Sequence, residues 1–285
     1  MTGTDTSGIG QAVQTARRAD AVVLVVGEPA DWSGEAASRS SLGLPGRQAD
    51  LVRAVQETGK PVVLVLMSGR PLTVAWEAEH VPAIIEAWFL GVQTGNAVAD
   101  VLFGAVNPSG KLPVTFPRTV GQVPLYYSYK NTGRPADDTL KFSSRYIDLP
   151  SSPLFPFGFG LSYTTFRYSP IVLEKDRVGT GDTVKAVVEV TNTGDRDGEE
   201  IVQVYVRDLV GTLTRPVKEL KAFRRVHLRP GETSRVAFAL PVSSCGFTGS
   251  DMKYRVEPGT FTLFVGPHSG DLQARDFVVM PAVAQ

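Results

Sequence analysis

One cysteine, Cys245, stands among the 285 residues. A single thiol excludes an intrachain disulfide and any cysteine-rich metal site. With no basic residue near it in sequence, it reads as a buried, inert group. Histidine is scarce too, and His80, His227 and His268 lie too far apart for a local metal motif, so neither metal nor cofactor is expected. An excess of charge is also lacking. Lys plus Arg and Asp plus Glu both number 29, giving a formal net charge of zero. That excludes the basic surplus on which a nucleic-acid binder or an anionic-membrane binder depends. No apolar run approaches the roughly 18 residues of a membrane span. The first residues, Met-Thr-Gly-Thr-Asp-Thr-Ser-Gly, lack the basic and apolar regions of a signal peptide. No internal repeat and no Asn-x-Ser/Thr sequon (x other than Pro) occurs. What remains is a globular composition, 42% hydrophobic and 20% charged, with 28 Gly and 20 Pro to punctuate many turns. The length fits about two domains.

The hydrophobic period changes along the chain. Up to residue 104, helical patterns (Gly8–Asp20, Arg47–Thr58, Leu72–Glu79, Gly95–Phe103) alternate with the apolar runs Ala21–Val26, Pro61–Met67 and Ala83–Trp88. Continuous valine-rich runs predict strands buried on both faces of a parallel sheet. The βαβαβα order predicts right-handed crossovers. From 105 to 163, prolines and aromatics dominate, which predicts an ordered, packed connection and not a flexible linker. Tyr126, Tyr127, Phe155 and Phe157 are its expected packing residues. From 164 the pattern is all-β: Val184–Val190, Ile201–Val206, Val236–Leu240 and Phe261–Val265 alternate between turns at Asn192–Gly194, Pro230-Gly231 and Pro258-Gly259. Roughly seven short strands without a Cys…Trp…Cys signature predict a fibronectin-III-like sandwich. The expected domains are 1–128, a connecting segment 129–163, and 164–285.

Three motifs fail on inspection. Gly104–Leu112 has five residues between its glycines where a P-loop has four, and Leu112 where the Mg²⁺-binding hydroxyl belongs. Gly266–Gly270 has the wrong spacing for a nucleophile elbow. Gly158-Phe-Gly160 lacks the third glycine of a dinucleotide site.

One loop carries a chemical constellation. Ligands of parallel α/β sheets bind beyond the carboxyl ends of the strands. The connection leaving the first strand there is about 20 residues long, against roughly 2–6 for a typical βα loop. It holds Glu28, Asp31, Trp32, Glu35 and Arg39. A Trp face suits a pyranose ring, and carboxylates accept hydroxyl hydrogen bonds or move protons. The plainer alternative is a solvated loop in which Asp31, Glu35 and Arg39 merely pair.

A further set of motifs runs from Gly34-Glu-Ala-Ala-Ser-Arg39 with Leu44-Pro-Gly46 and Gln48 through Lys60–Pro71 and Gly95–Gly104 to Asn107-Pro-Ser-Gly-Lys-Leu-Pro113. This set resembles glycoside hydrolase family 3 β-glucosidases, in particular the periplasmic bacterial type. It continues through Tyr126-Tyr127, Asn131–Pro135, Ser144-Arg-Tyr146 and Pro156–Tyr163 to Val190–Gly194 and Arg215–Phe223. The fold it implies is a partial parallel α/β sandwich, lacking its first strands, followed by a fibronectin-III-like domain. Enzymes of this type place a nucleophilic aspartate on an N-terminal (β/α)8 barrel, and their second domain lends the general acid/base glutamate. Glu35 inherits that role by its Ser-Gly-Glu position, with Glu28 as second candidate and Asp31, Trp32 and Arg39 as substrate-binding residues. Nothing in this chain matches the barrel. The resemblance therefore implies the C-terminal part of a retaining, exo-acting β-glucosidase, periplasmic or secreted, inactive without its barrel. Its substrate would be an oligosaccharide or an aryl or alkyl β-glucoside. The alternatives are a β-xylosidase of the same family, and a non-catalytic carbohydrate- or partner-binding module.

Overall fold

The computed structural model describes residues 3–281. Two compact units divide the chain. The first runs to Ala105 and takes in Phe116–Pro124; the second takes Val106–Thr115 and continues from Leu125.

The first unit contains, in order, α1 (Ile9–Arg18), β1 (Val22–Gly27), α2 (Gln48–Gln56), β2 (Val62–Met67), α3 (Ala75–His80), β3 (Ala83–Glu86) and α4 (Thr94–Leu102). The strands form one parallel sheet in the order β1-β2-β3. Val22 pairs with Val62 at one end and Gly27 with Met67 at the other; Val63 to Leu66 pair with Ala83 to Glu86. Helix α2 buries Leu51, Val52 and Val55 on one face, the spacing of an amphipathic helix. Beyond its end, Gly59 takes φ +72°, a conformation that costs glycine little. Central strand β2 buries Val62, Leu64, Val65 and Leu66, and so is covered on both faces.

Two expectations need correction here. The first strand is not buried on both faces: Val23 is 51% and Val25 56% exposed, while Val26 is buried. Side chains alternate along a strand, and β1 is an edge strand whose Val23/Val25 face is open. The third strand, at the other edge of the sheet, is not fully buried either: Ala83 is exposed and Ile84, Ile85 and Glu86 are half-buried; it also ends at Glu86, two residues early. Trp88 adopts φ +48°, and its N–H is held by the Glu86 carboxylate at 3.0 Å. This turn breaks the extended run, and the Trp88 ring then meets Phe116 edge-on at 5.9 Å.

The second unit is antiparallel but for one pair. Its strands are β4 (Phe166–Tyr168), β5 (Val172–Leu173), β6 (Arg177–Gly179), β7 (Thr183–Asn192), β8 (Gly198–Asp208), β9 (Glu219–Leu228), β10 (Thr233–Pro241), β11 (Phe247–Thr248), β12 (Tyr254–Arg255), β13 (Gly259–His268) and β14 (Asp271–Met280). One large sheet has the order β10-β7-β4 with β5 also on β7, and the other has the order β6-β14-β13-β8-β9; β11 and β12 pair apart from them as a two-stranded ribbon. The exception is β14 with β6, a parallel pair. The core lies between the sheets, where Val184, Ala186, Val188 and Val190 join Val202, Val204, Val206, Phe238, Leu263 and Phe277. Alternation of small β-branched residues on facing strands makes such a sandwich. Cys245 is buried, and that burial pushes its thiol up.

The proline- and aromatic-rich segment is tied into this second unit. Tyr127 stacks on Phe157 at 4.3 Å and meets Tyr205 edge-on at 5.6 Å. Phe155 stacks on Phe159 at 5.2 Å. Tyr126, expected to pack with them, is 53% exposed; the chain turns at Tyr127-Ser128, and of the two tyrosines only Tyr127 meets the Phe157 and Tyr205 rings. The buried Gln203 donates to the carbonyls of Gly158 (3.0 Å) and Pro267 (2.6 Å), and its Oε1 accepts from the Tyr205 hydroxyl (2.5 Å). Gly158 has φ +81°, and a Cβ there would lie 2.1 Å from Gln203 Oε1. The rejected P-loop segment is likewise a tether. Asn107 Oδ1 accepts from Ser162 Oγ at 2.9 Å and from the Tyr163 N–H at 2.8 Å. Lys111 pairs with the buried Glu200 at 3.4 Å, which also accepts from Tyr168 at 2.8 Å.

Candidate functional site

The long loop begins where β1 ends. Gly27 takes φ +135°, and a Cβ on it would sit 1.9 Å from the Met67 carbonyl oxygen. Only glycine permits that approach. Its outer N–H and carbonyl are both met by the Gln48 carboxamide, at 2.7 and 2.9 Å. The side chain at the start of α2 thus acts as a substitute strand partner for both backbone groups of Gly27.

Glu28 follows. Its backbone N–H donates to Met67 O at 2.8 Å, which aims the side chain inward. The side chain is completely buried. Each carboxylate oxygen meets a guanidinium: Arg39 Nη1 on Oε1, and Arg70 Nε on Oε2 at 2.9 Å. A buried carboxylate between two arginines is held by charge-assisted hydrogen bonds that offset its desolvation. Both arginines also donate to the loop backbone. Arg39 Nη2 reaches Gly43 O at 3.0 Å. Arg70 Nη2 reaches Ala37 O at 3.0 Å and also Trp32 O.

The other loop residues fall outside this buried cluster. Asp31 and Trp32 lie in a short 3-10 turn, Ala30–Trp32. Arg39 lies over the Trp32 ring, 5.1 Å from its centroid. Glu35 is exposed in a turn between Gly34 (φ +143°) and Ala36 (φ +60°). Among the described residues its carboxylate has no hydrogen-bond or ion-pair partner. The plainer alternative, with Arg39 paired to Asp31 or Glu35, does not describe this geometry, because Arg39 is taken by Glu28.

Sequence reading singled out neither Arg70 nor Glu86. Arg70 follows the carboxyl end of β2 just as Glu28 follows that of β1, so the rule that directed attention to the first loop also reaches it. Glu86 lies at the same end of β3. Burial pushes its carboxyl up to about 7, against a smaller downward pull from the Trp88 N–H. Its Oε2 is buried without a hydrogen-bond partner. A protonated Glu86 is the form such surroundings favour. No group of three or more His, Cys, Asp or Glu among the described residues is placed to hold a metal ion, and no helix among them is long and apolar enough to cross a membrane.

Comparison with known proteins places this geometry. Residues 4–163 match the glycosyl hydrolase family 3 C-terminal domain, and residues 200–269 a fibronectin type III-like domain. The chain is 48% identical over 274 residues to a periplasmic beta-glucosidase of Salmonella typhimurium, covering 95% of this chain and 36% of that protein. It is 47% identical over 262 residues to a beta-xylosidase of Formosa agariphila, covering 92% and 36%. The crystal structure of a Listeria innocua beta-glucosidase in complex with glucose superposes with a TM-score of 0.93 at 39% identity, covering 98% of this chain and 39% of that one. The chain thus spans about a third of the length of the curated relatives it matches. It belongs to glycoside hydrolase family 3 and corresponds to the C-terminal part of its members.

Proposed function

We propose that this chain supplies the general acid/base, Glu35, to a retaining, exo-acting β-glucosidase that removes terminal β-D-glucosyl residues from oligosaccharides or aryl and alkyl glucosides. The observation that carries the assignment is the contrast between the two loop glutamates. Glu28 is sealed between Arg39 and Arg70, its side chain wholly buried and each carboxylate oxygen paired to a guanidinium. Glu35 is exposed and uncommitted at the tip of a turn. A residue that must give a proton and later remove one cannot be locked in permanent ion pairs.

In a retaining mechanism two carboxyl groups stand about 5–5.5 Å apart across the glycosidic bond. One attacks the anomeric carbon while the other protonates the leaving oxygen. The second then removes a proton from the water that releases the sugar. Glu35 fills the second role, and the nucleophilic aspartate comes from the (β/α)8 barrel of the whole enzyme. Without that barrel no glycosyl-enzyme forms, and this chain by itself leaves aryl β-glucosides intact. Trp32, carrying Arg39 above one ring face, and Asp31 sit three and four residues before Glu35 and border the place where a sugar would lie. The 47% identity to a beta-xylosidase supports a second reading of the glycone, a xylosyl residue, on the same machinery.

Kinetics on the complete enzyme test the assignment. Glu35→Ala is expected to slow substrates with poor leaving groups far more than those with good ones, by about 10²-fold or more. Azide should restore turnover in part by replacing the water that needs a base. Equal losses for both substrate types, with no rescue by azide, would move the role to Glu28.

A further inference from the structure

A loop of about 20 residues has to be ordered before a carboxyl group on it can meet a glycosidic oxygen within hydrogen-bond reach. The ordering group is visible in the hydrogen bonds. Arg70 Nη2 donates to Trp32 O and, at 3.0 Å, to Ala37 O. These carbonyls lie three residues before and two residues after Glu35. One guanidinium nitrogen therefore closes the base of the turn whose tip is Glu35. The same guanidinium is fixed from behind, because its Nε donates to Glu28 Oε2 at 2.9 Å, and Glu28 is anchored to the sheet through its N–H on Met67 O at 2.8 Å.

The turn is one that needs closing. Ala36 takes φ +60°, a left-handed conformation that costs a residue with a Cβ roughly 1–2 kcal/mol. Such residues persist where the surroundings over-determine them. We propose that Arg70, oriented by the buried Glu28, is a positioning residue that sets where the Glu35 carboxyl stands relative to the scissile bond. The proposal rests on the reading of Glu35 as acid/base. It also gives Glu28 its part, as the fixed end of a relay from sheet to loop. The task demands arginine: a planar fork can satisfy a carboxylate and two carbonyls at set angles, whereas a lysine ammonium is a single point charge on a flexible stem.

The test uses the complete barrel-containing enzyme and a series of aryl β-glucosides of rising leaving-group pKa. Arg70→Lys keeps a positive charge opposite Glu28 but cannot span Trp32 O and Ala37 O. Displacing a reacting group by about 1 Å can cost about 10²-fold. For Arg70→Lys, kcat/KM is expected to fall by about that factor on the poorest leaving groups and by less than about tenfold on the best, so the leaving-group dependence steepens. Azide should partly restore kcat, and Arg70→Lys placed on top of Glu35→Ala should cost almost nothing further. If Glu35→Ala steepens the dependence but Arg70→Lys lowers all substrates equally, or adds its full loss to that of Glu35→Ala, the clamp is refuted and the Glu35 assignment stands. If Glu35→Ala itself shows no leaving-group dependence, the underlying reading has failed. Should Arg70→Lys not fold, Ala36→Pro leaves both charged groups intact and, with φ fixed at about −65°, cannot adopt the left-handed turn that the clamp closes. A loss confined to poor leaving groups then supports the clamp, and an unchanged dependence overturns it.

Discussion

Glu86 gives the first unit a stability that depends on pH in an unusual direction. Its carboxyl ordinarily titrates at 4.5 and burial raises it to about 7. One pKa unit corresponds to about 1.4 kcal/mol, so the rise amounts to about 3 kcal/mol between the protonated and ionised forms. The raised group keeps its proton in the folded state after the unfolded chain has released it. Stability is therefore full below about pH 4.5, declines as pH rises through the interval, and levels off above about 7. Glu77, also raised by burial, pushes the same way, so the informative comparison is with Glu86→Gln, which leaves Glu77 in place. The assay is intrinsic fluorescence during urea unfolding. Trp32, Trp76 and Trp88 are the three tryptophans of the chain, and all lie in the first unit, so the signal reports that unit alone. Wild type should lose about 3 kcal/mol, relative to Glu86→Gln, between pH 4.5 and 8. A stability difference that stays constant across that range would falsify the idea that Glu86 is buried as a neutral acid.

Two further substitutions probe the supports of the fold. Gly27→Ala should destabilise the first unit by more than about 2 kcal/mol, because the new methyl meets the Met67 carbonyl and φ is left-handed; an unchanged urea midpoint by tryptophan fluorescence would refute the close approach. Gln203→Leu should cost the second unit roughly 2–4 kcal/mol, since it leaves the Tyr205 hydroxyl and the Gly158 and Pro267 carbonyls without their partner. Calorimetry reads that loss, and a transition at the wild-type temperature would show that the network contributes nothing.

The parallel sheet was legible because valine-rich runs alternated with amphipathic stretches at the right spacing. What those runs did not disclose was exposure. Val23 and Val25 have the composition of buried residues and stand half open, because burial depends on what lies over a face and not on the strand itself. In the second unit, β14 carries Asp271, Arg275 and Asp276 among its apolar residues, which masked a strand that pairs along most of β13. At the loop, residue types pointed to carbohydrate chemistry, but pairing did not follow from them. Arg39 and Glu35 are four residues apart in sequence, yet Arg39 turns to Glu28. Arg70 acts across 33 to 38 positions of sequence, a distance at which spacing carries no information. A Trp face suits a sugar ring, but the sequence does not disclose that Arg39 lies over the Trp32 ring.

The path of the chain between its two units bears on how such a protein can be taken apart. After Ala105 it enters the second unit, returns to the first for Phe116–Pro124, and leaves again at Leu125. Three passages mean that no single cut separates one intact unit from the other. A cut at 105 takes from the first unit Phe116, whose ring meets Trp88. A cut at 124 takes from the second Asn107 and Lys111, which bind Ser162, Tyr163 and Glu200. Recombination that exchanges modules at one crossover point would thus leave at least one of the two units without part of its chain. The match to the family's C-terminal domain runs on to residue 163, past all three passages, as expected if that stretch is inherited as one piece.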